Sequence, residues 1–128
     1  MTPSHPRALL LHGLGASPAD LDVLDRALRA AGWETSAPAL LAHDGRPAAP
    51  RYALDDYAAE FAATGPWDLV IGHSLGGCLA TIRGAQSRRW AARMLLIEPV
   101  WRIRPEHIAS VAAGQRADLD TSEADLAA

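Results

Sequence analysis

The sequence predicts a three-layer α/β fold on a doubly wound parallel sheet of about four strands. Two observations indicate this fold class. Short, continuously apolar runs such as Ala8-Leu9-Leu10-Leu11 and Met94-Leu95-Leu96-Ile97 are typical of strands that are buried on both faces of a sheet. Stretches of helical periodicity separate these runs, and strands that alternate with helices form parallel sheets. Right-handed crossovers then place helices on both faces.

The first half of the chain predicts a strand, a loop, a helix and a weaker strand. Residues 7–12 form the first strand, and a glycine-containing loop follows it. Ser17 and Asp20 form a capping-box pattern at the start of a helix. Leucine and alanine then recur at helical spacing as far as Gly32, a residue type that ends helices. Residues 33–37 indicate the second strand.

The second half predicts two further helices and two further strands. Prolines and glycines in residues 38–52 indicate an irregular connection. Apolar residues at helical spacing predict an amphipathic helix over residues 54–62. Residues 67–72 form the third strand and lead into a helix that extends to about Gln86. The apolar run at 93–97 is the fourth strand, again apolar on both faces.

The composition excludes several classes of partner. The chain has 128 residues, 49% of them hydrophobic, which suits one small domain with its own core. The net charge of −3 does not indicate a nucleic acid or an anionic membrane as a partner. Cys78 is the single cysteine, so no internal disulfide is expected, and its position predicts an inert core thiol. No apolar stretch has the length of a membrane span or a signal sequence, so a cytoplasmic location is expected.

The segment Gly72-His73-Ser74-Leu75-Gly76-Gly77 joins the third strand to the helix that follows it. A serine between two glycines at a strand-to-helix turn is the arrangement of a nucleophile elbow. The serine must adopt a strained backbone conformation so that its hydroxyl stands clear of the sheet. Side chains at positions 72 and 76 would clash with the closely packed strand and helix, which explains the glycines there. The N–H groups at the start of the helix attract developing negative charge.

A second glycine-containing loop, His12-Gly13-Leu14-Gly15, ends the first strand and precedes a well-capped helix, so its N–H groups are expected to be free. Together the two segments resemble the α/β-hydrolase superfamily, in particular an esterase-like branch with an H-G oxyanion loop and a G-H-S-L-G-G elbow. The resemblance covers about residues 7–104, and includes the loop at 38–45 and the helix at 54–61. It departs at Ala42-His43-Asp44, where the family often has Gly-His-Gly.

The resemblance implies a serine hydrolase that acts on a small-molecule acyl substrate. Ser74 would be the nucleophile, and the backbone N–H groups of Leu14 and Leu75 would form the oxyanion hole. Two such donors stabilise the alkoxide of acyl transfer, at about 3–4 kcal/mol for each donor. The alternative for the first loop is that Gly13 and Gly15 only permit a tight turn.

The resemblance also implies an acid and then a histidine after the nucleophile. Glu98 follows the fourth strand at the edge of the sheet where a minority of the family places its acid. His107 is the only histidine after Ser74, so this trio would keep the family's order. A carboxylate at a strand terminus and a solvated histidine are the simpler interpretations, and we favour them. His73 is expected to point away from Ser74 and to pack under the elbow, and His12 to structure its loop rather than act as the base.

Other chemistries are less well supported by the sequence. Gly13-Leu14-Gly15 resembles part of a dinucleotide-binding loop, but Pro18 stands at the third glycine position. The histidines lack a metal-ligand spacing such as H-x-x-x-H, and His43 is expected to be an ordinary loop residue. No metal and no cofactor are therefore expected.

Two segments and two hypotheses about function follow. Residues 1–104 are predicted to be the N-terminal part of an α/β-hydrolase core, and residues 105–128 the start of a cap or a connecting helical segment. A helix-start pattern near Thr121 predicts that the sequence is truncated at its C-terminus, and a frayed terminus is the alternative. In the first hypothesis the chain is part of a serine hydrolase for an ester, thioester or related acyl compound, with its acid and histidine in missing sequence. In the second it is a catalytically incomplete binding module or a remnant of the fold, and uncovered sheet edges favour self-association.

Overall fold

The computed structural model describes residues 4–48, 50, 53–99 and 101. The strands are β1 (Arg7–Leu11), β2 (Glu34–Ser36), β3 (Leu69–His73) and β4 (Met94–Ile97). The helices are α1 (Asp22–Ala30), which a 3₁₀ turn at Pro18–Leu21 precedes, α2 (Leu54–Ala59) and α3 (Leu75–Gln86). Every predicted element within the described residues is present. The predicted helix over 54–62 is shorter than expected, because after Ala59 the chain continues in turns.

The strands of the described residues form one parallel sheet in the order β2-β1-β3-β4. β1 lies in the centre, where Leu9 pairs with Ser36 of β2 on one side and with Val70 of β3 on the other. The chain leaves β1 towards one edge of the sheet and leaves β3 towards the opposite edge. The sheet therefore has a topological switch point between β1 and β3, which is where ligands bind in open α/β sheets. The predicted doubly wound fold is confirmed.

Each face of the sheet carries its own apolar core, which explains the continuous apolar runs of β1 and β3. On one face, Leu9 and Leu11 pack with side chains of α2 and α3, including Tyr57 and Leu79. On the other face, a second cluster packs under α1. Its buried members are Ala8, Leu10, Leu21 and Ile71. The helices on the two faces and the sheet between them make the three predicted layers.

β4 departs from this pattern within the described part of the chain. Met94 and Leu95 are exposed, although the sequence predicts a strand that is buried on both faces. The reason is topological: β4 is an edge strand that pairs only with β3 among the described residues. The described residues contain no helix with the length and hydropathy of a membrane span.

Candidate active site

Ser74 links β3 to α3 and has the strained backbone that the elbow requires. Its φ of 50° and ψ of −113° lie in a region that residues with a side chain rarely adopt. The Ser74 N–H donates to the carbonyl oxygen of Ile97 at 2.9 Å, and the Ser74 carbonyl accepts from the N–H groups of Gly77 and Cys78. These three bonds hold a conformation that costs about 1–3 kcal/mol on its own.

The two flanking glycines have a steric reason. A Cβ at Gly72 would lie 2.5 Å from the carbonyl oxygen of Gly76, and a Cβ at Gly76 would lie 2.1 Å from the carbonyl oxygen of Leu11. Both distances are far below van der Waals contact. Without side chains at these positions, the start of α3 lies directly against the end of β1. A Cβ at Gly13 would accordingly lie 3.4 Å from the Cβ of Ser74, so the loop after β1 borders the elbow.

The residues Leu14 and Leu75 belong to the two segments that meet at this junction. Leu14 follows Gly13, which packs against Ser74, and Leu75 is the first residue of α3. Among the described residues, no acceptor takes a hydrogen bond from either N–H. Free N–H groups at a helix start and in a neighbouring loop can stabilise an anion that forms between them.

His12 ties the loop after β1 to the connection that follows β2. The imidazole is buried; its Nε2 accepts the N–H of Leu40 at 3.0 Å, and its Nδ1 lies 2.8 Å from the carbonyl oxygen of Gly13. Because Nε2 is the acceptor, the proton sits on Nδ1 and is donated to Gly13. Both ring nitrogens are occupied, so His12 structures its loop, as predicted.

His43 also hydrogen-bonds to the loop after β1 and to the connection after β2. Its Nε2 accepts the N–H of Gly15 at 2.9 Å, and its Nδ1 donates to the carbonyl oxygen of Leu41 at 2.8 Å. The sequence predicts only an ordinary loop residue here. The resemblance of this segment to Gly-His-Gly was the signal that could have revealed this role. Ala42 and Asp44 flank His43 with φ of 60° and 50°, which are conformations that glycine adopts without strain.

A model of the alpha/beta hydrolase family matches residues 8–127. The chain belongs to the alpha/beta hydrolase family. Among solved structures, it is similar to Rv0554 from Mycobacterium tuberculosis, with a TM-score of 0.74 and 16% identity over 94% of this chain and 46% of that one. It is also similar to a thioesterase domain from the curacin biosynthetic pathway, with a TM-score of 0.70 and 21% identity over 88% and 44% of the two chains.

An esterase from Exiguobacterium antarcticum is a third similar structure, with a TM-score of 0.69 and 16% identity over 79% of this chain and 41% of that one. The chain thus spans less than half the length of these structures, and at such identities the likeness concerns the fold. A comparison with curated protein sequences gave no match.

His73 lies on the α1 side of this hydrolase core, away from α3. It lines a cavity of about 590 Å³ together with Leu14, Leu24 and Ile97. The prediction that it packs under the elbow is wrong, because its side chain is 40% exposed. The reason is its position at the carboxyl end of β3, where the sheet stops and the crevice begins.

Glu98 and His107 remain candidates for the acid and the base. Glu98 follows β4 at the same edge of the sheet as Ser74, has a φ of 46° and an exposed carboxylate, and its Oε2 lies 4.0 Å from Nε2 of His73. His107 lies outside the described residues. Among the described residues, the Ser74 hydroxyl makes no hydrogen bond.

Acidification is expected to destabilise this hydrolase core through His12. The pKa of His12 is lowered from its ordinary value of 6.5, mainly because burial disfavours the charged ring. The unfolded chain therefore takes up this proton at a higher pH than the folded protein, and stability falls as the pH drops below 6.5. The slope is at most about 1.4 kcal/mol per pH unit.

Urea unfolding at about pH 7.5 and about pH 5.5 measures this loss. The variant His12→Gln is expected to lose less stability between the two conditions than the wild type does, although it is less stable at both. An equal pH dependence in the two proteins would show that His12 is not the group responsible.

Proposed function

We propose that the chain carries the nucleophile and oxyanion hole of a serine hydrolase that acts on an ester, thioester or related acyl compound. Ser74 is the nucleophile. The observation that carries the proposal is the strained backbone of Ser74, at φ 50°, directly beside the topological switch point of the sheet. Strain of this kind persists where the surrounding structure enforces it, and it clusters at sites of chemistry.

The oxyanion hole consists of the N–H groups of Leu14 and Leu75. Attack of the Ser74 hydroxyl oxygen on the acyl carbon forms a tetrahedral intermediate whose oxygen carries the negative charge. Two fixed N–H groups that lack an acceptor among the described residues suit this charge, since they need no reorganisation when it appears. The close approach of Gly13 to Ser74 supports the placement of the first donor.

The base that takes the Ser74 proton is proposed to lie outside the described residues. His107 is one source, and polypeptide beyond this chain is the other, as the spans of the similar structures allow. The base later donates the proton to the leaving alcohol or thiol, and water then hydrolyses the acyl-enzyme by the same steps. Among the described residues, Glu98 is the candidate for the acid that orients the base.

A fluorophosphonate probe tests the nucleophile directly. In the protein expressed with any polypeptide that follows residue 128, the probe is expected to label one serine, and Ser74→Ala is expected to abolish the labelling. Ser4→Ala is the matched control, because Ser4 is exposed and far along the chain from the elbow. Its labelling should equal that of the wild type. Peptide mapping by mass spectrometry identifies the labelled residue.

A folded protein that takes up no probe would instead support a catalytically incomplete binding module. In this second candidate, the Ser74 hydroxyl, which makes no hydrogen bond among the described residues, has no base to activate it. Labelling that persists in Ser74→Ala would equally overturn the assignment of the nucleophile. Circular dichroism on each variant establishes that it is folded.

A further inference from the structure

The connection between β2 and α2 is built to hold one imidazole in place. Two turns flank His43, since its N–H donates to the carbonyl of Leu40 and its own carbonyl accepts from Arg46. The Arg46 guanidinium then donates to the carbonyl oxygen of Ala39 at 2.9 Å and to both carboxylate oxygens of Glu60, just after α2. The loop is thereby closed on itself across His43 and fastened to the end of α2.

The backbone around His43 is strained on either side. Ala42 and Asp44 have φ of 60° and 50°, and neither is a glycine. Such conformations cost roughly 1–2 kcal/mol for a residue with a Cβ. The folded protein keeps this backbone strain at the point where the half-buried imidazole of His43 faces the loop after β1. The ring is packed at 5.1 Å from the ring of His12 and at 6.4 Å, edge to face, from the ring of Tyr57.

The imidazoles of His12 and His43 form hydrogen bonds to two consecutive peptide planes. His12 donates to the carbonyl oxygen of Gly13, and this oxygen shares its planar trans peptide with the N–H of Leu14. His43 accepts the N–H of Gly15, which belongs to the next peptide plane. Because an amide is rigid, holding the Gly13 oxygen on one side directs the Leu14 N–H to the opposite side. Holding the Gly15 N–H prevents the second plane from rotating and carrying Leu14 with it.

We propose that His43 is a positioning residue for the oxyanion loop, which acts through the Gly15 N–H to keep the Leu14 N–H aimed at the site beside Ser74. The role requires an acceptor at Nε2 rather than a ring as such. This inference rests on the proposed function, since it assigns His43 to the same site. The structural part of the proposal is the hydrogen bond from the Gly15 N–H to His43, which we call the clamp. It can be tested independently of whether Ser74 reacts.

The test compares His43→Phe, which keeps a ring but removes the acceptor, with His43→Gln, whose side-chain oxygen can accept the same N–H. His5→Gln is the matched control, because His5 is exposed and outside the site. In His43→Phe, hydrogen exchange of the Gly15 amide is expected to accelerate about tenfold. The rate constant for fluorophosphonate inactivation of Ser74 is expected to fall about tenfold with an unchanged binding constant, because only the stabilisation of the developing charge is lost.

His43→Gln is expected to restore both quantities to within about threefold of the wild type, which a role in packing alone would not produce. Unchanged exchange of Gly15 in His43→Phe overturns the clamp, whether or not Ser74 reacts with the probe. Accelerated exchange with an unchanged inactivation rate overturns the link to the oxyanion hole. A wild-type protein that shows the clamp but takes up no probe contradicts the proposed function. It would still support the claim that His43 holds the Gly15 N–H.

Discussion

Gly76→Ala is expected to lower the free energy of unfolding by about 3 kcal/mol or more, and to abolish labelling of Ser74 in whatever remains folded. An added Cβ would lie 2.1 Å from the carbonyl oxygen of Leu11 and 2.8 Å from that of His12. These are backbone atoms of β1 and its exit, so they cannot rotate away. Alanine is favoured over glycine in a helix by about 1 kcal/mol, but the collision is far larger and decides the sign. Urea unfolding of the variant measures the loss.

Gly84→Ala is the matched control in the same helix. Its Cβ would lie 2.2 Å from the terminal methyl of Met94, an exposed and flexible side chain that can move aside. We expect a stability within about 1 kcal/mol of the wild type, since helix propensity offsets the repacking of Met94. Equal losses in Gly76→Ala and Gly84→Ala would show that the close approach of α3 to β1 is not what requires glycine at the elbow.

Leu79→Ala is expected to lower the free energy of unfolding by about 3 kcal/mol, within the range for large-to-small changes in a core. Leu79 is 0% exposed and lies in the cluster that joins α3 to β1 and β3. Its truncation leaves a cavity behind the elbow, which the surrounding rigid sheet cannot collapse to fill. Chemical denaturation with unchanged m-values would attribute the loss to the native state.

Val23→Ala in α1 is the comparison for Leu79→Ala. Val23 is 79% exposed, so its truncation removes little packing, and alanine has the higher helix propensity. The expected change is within about 0.5 kcal/mol. A loss below about 1 kcal/mol for Leu79→Ala would contradict the packing of α3 against the sheet.

The sequence by itself determined the elements and the sharp turn at Ser74 between β3 and α3. Apolar runs and helical periodicity are local signals, so β1, β3 and α3 were predicted within a few residues of their observed bounds. The motif also predicted that side chains at positions 72 and 76 would clash, although the carbonyl oxygen of Leu11 that excludes a Cβ at Gly76 is brought there only by the fold.

Only the tertiary structure decided which segments meet. The order β2-β1-β3-β4 places the loop after β1 beside Ser74, although the two are some sixty positions apart in the chain. Within the described residues, the same order leaves β4 at an edge of the sheet, so Met94 and Leu95 are exposed despite a strand pattern that predicts burial. His43 acquires its bond to Gly15 only because the connection after β2 folds back over that loop. Periodicity records which face of an element is apolar, whereas the partner of that face depends on contacts between distant segments, which no local pattern encodes.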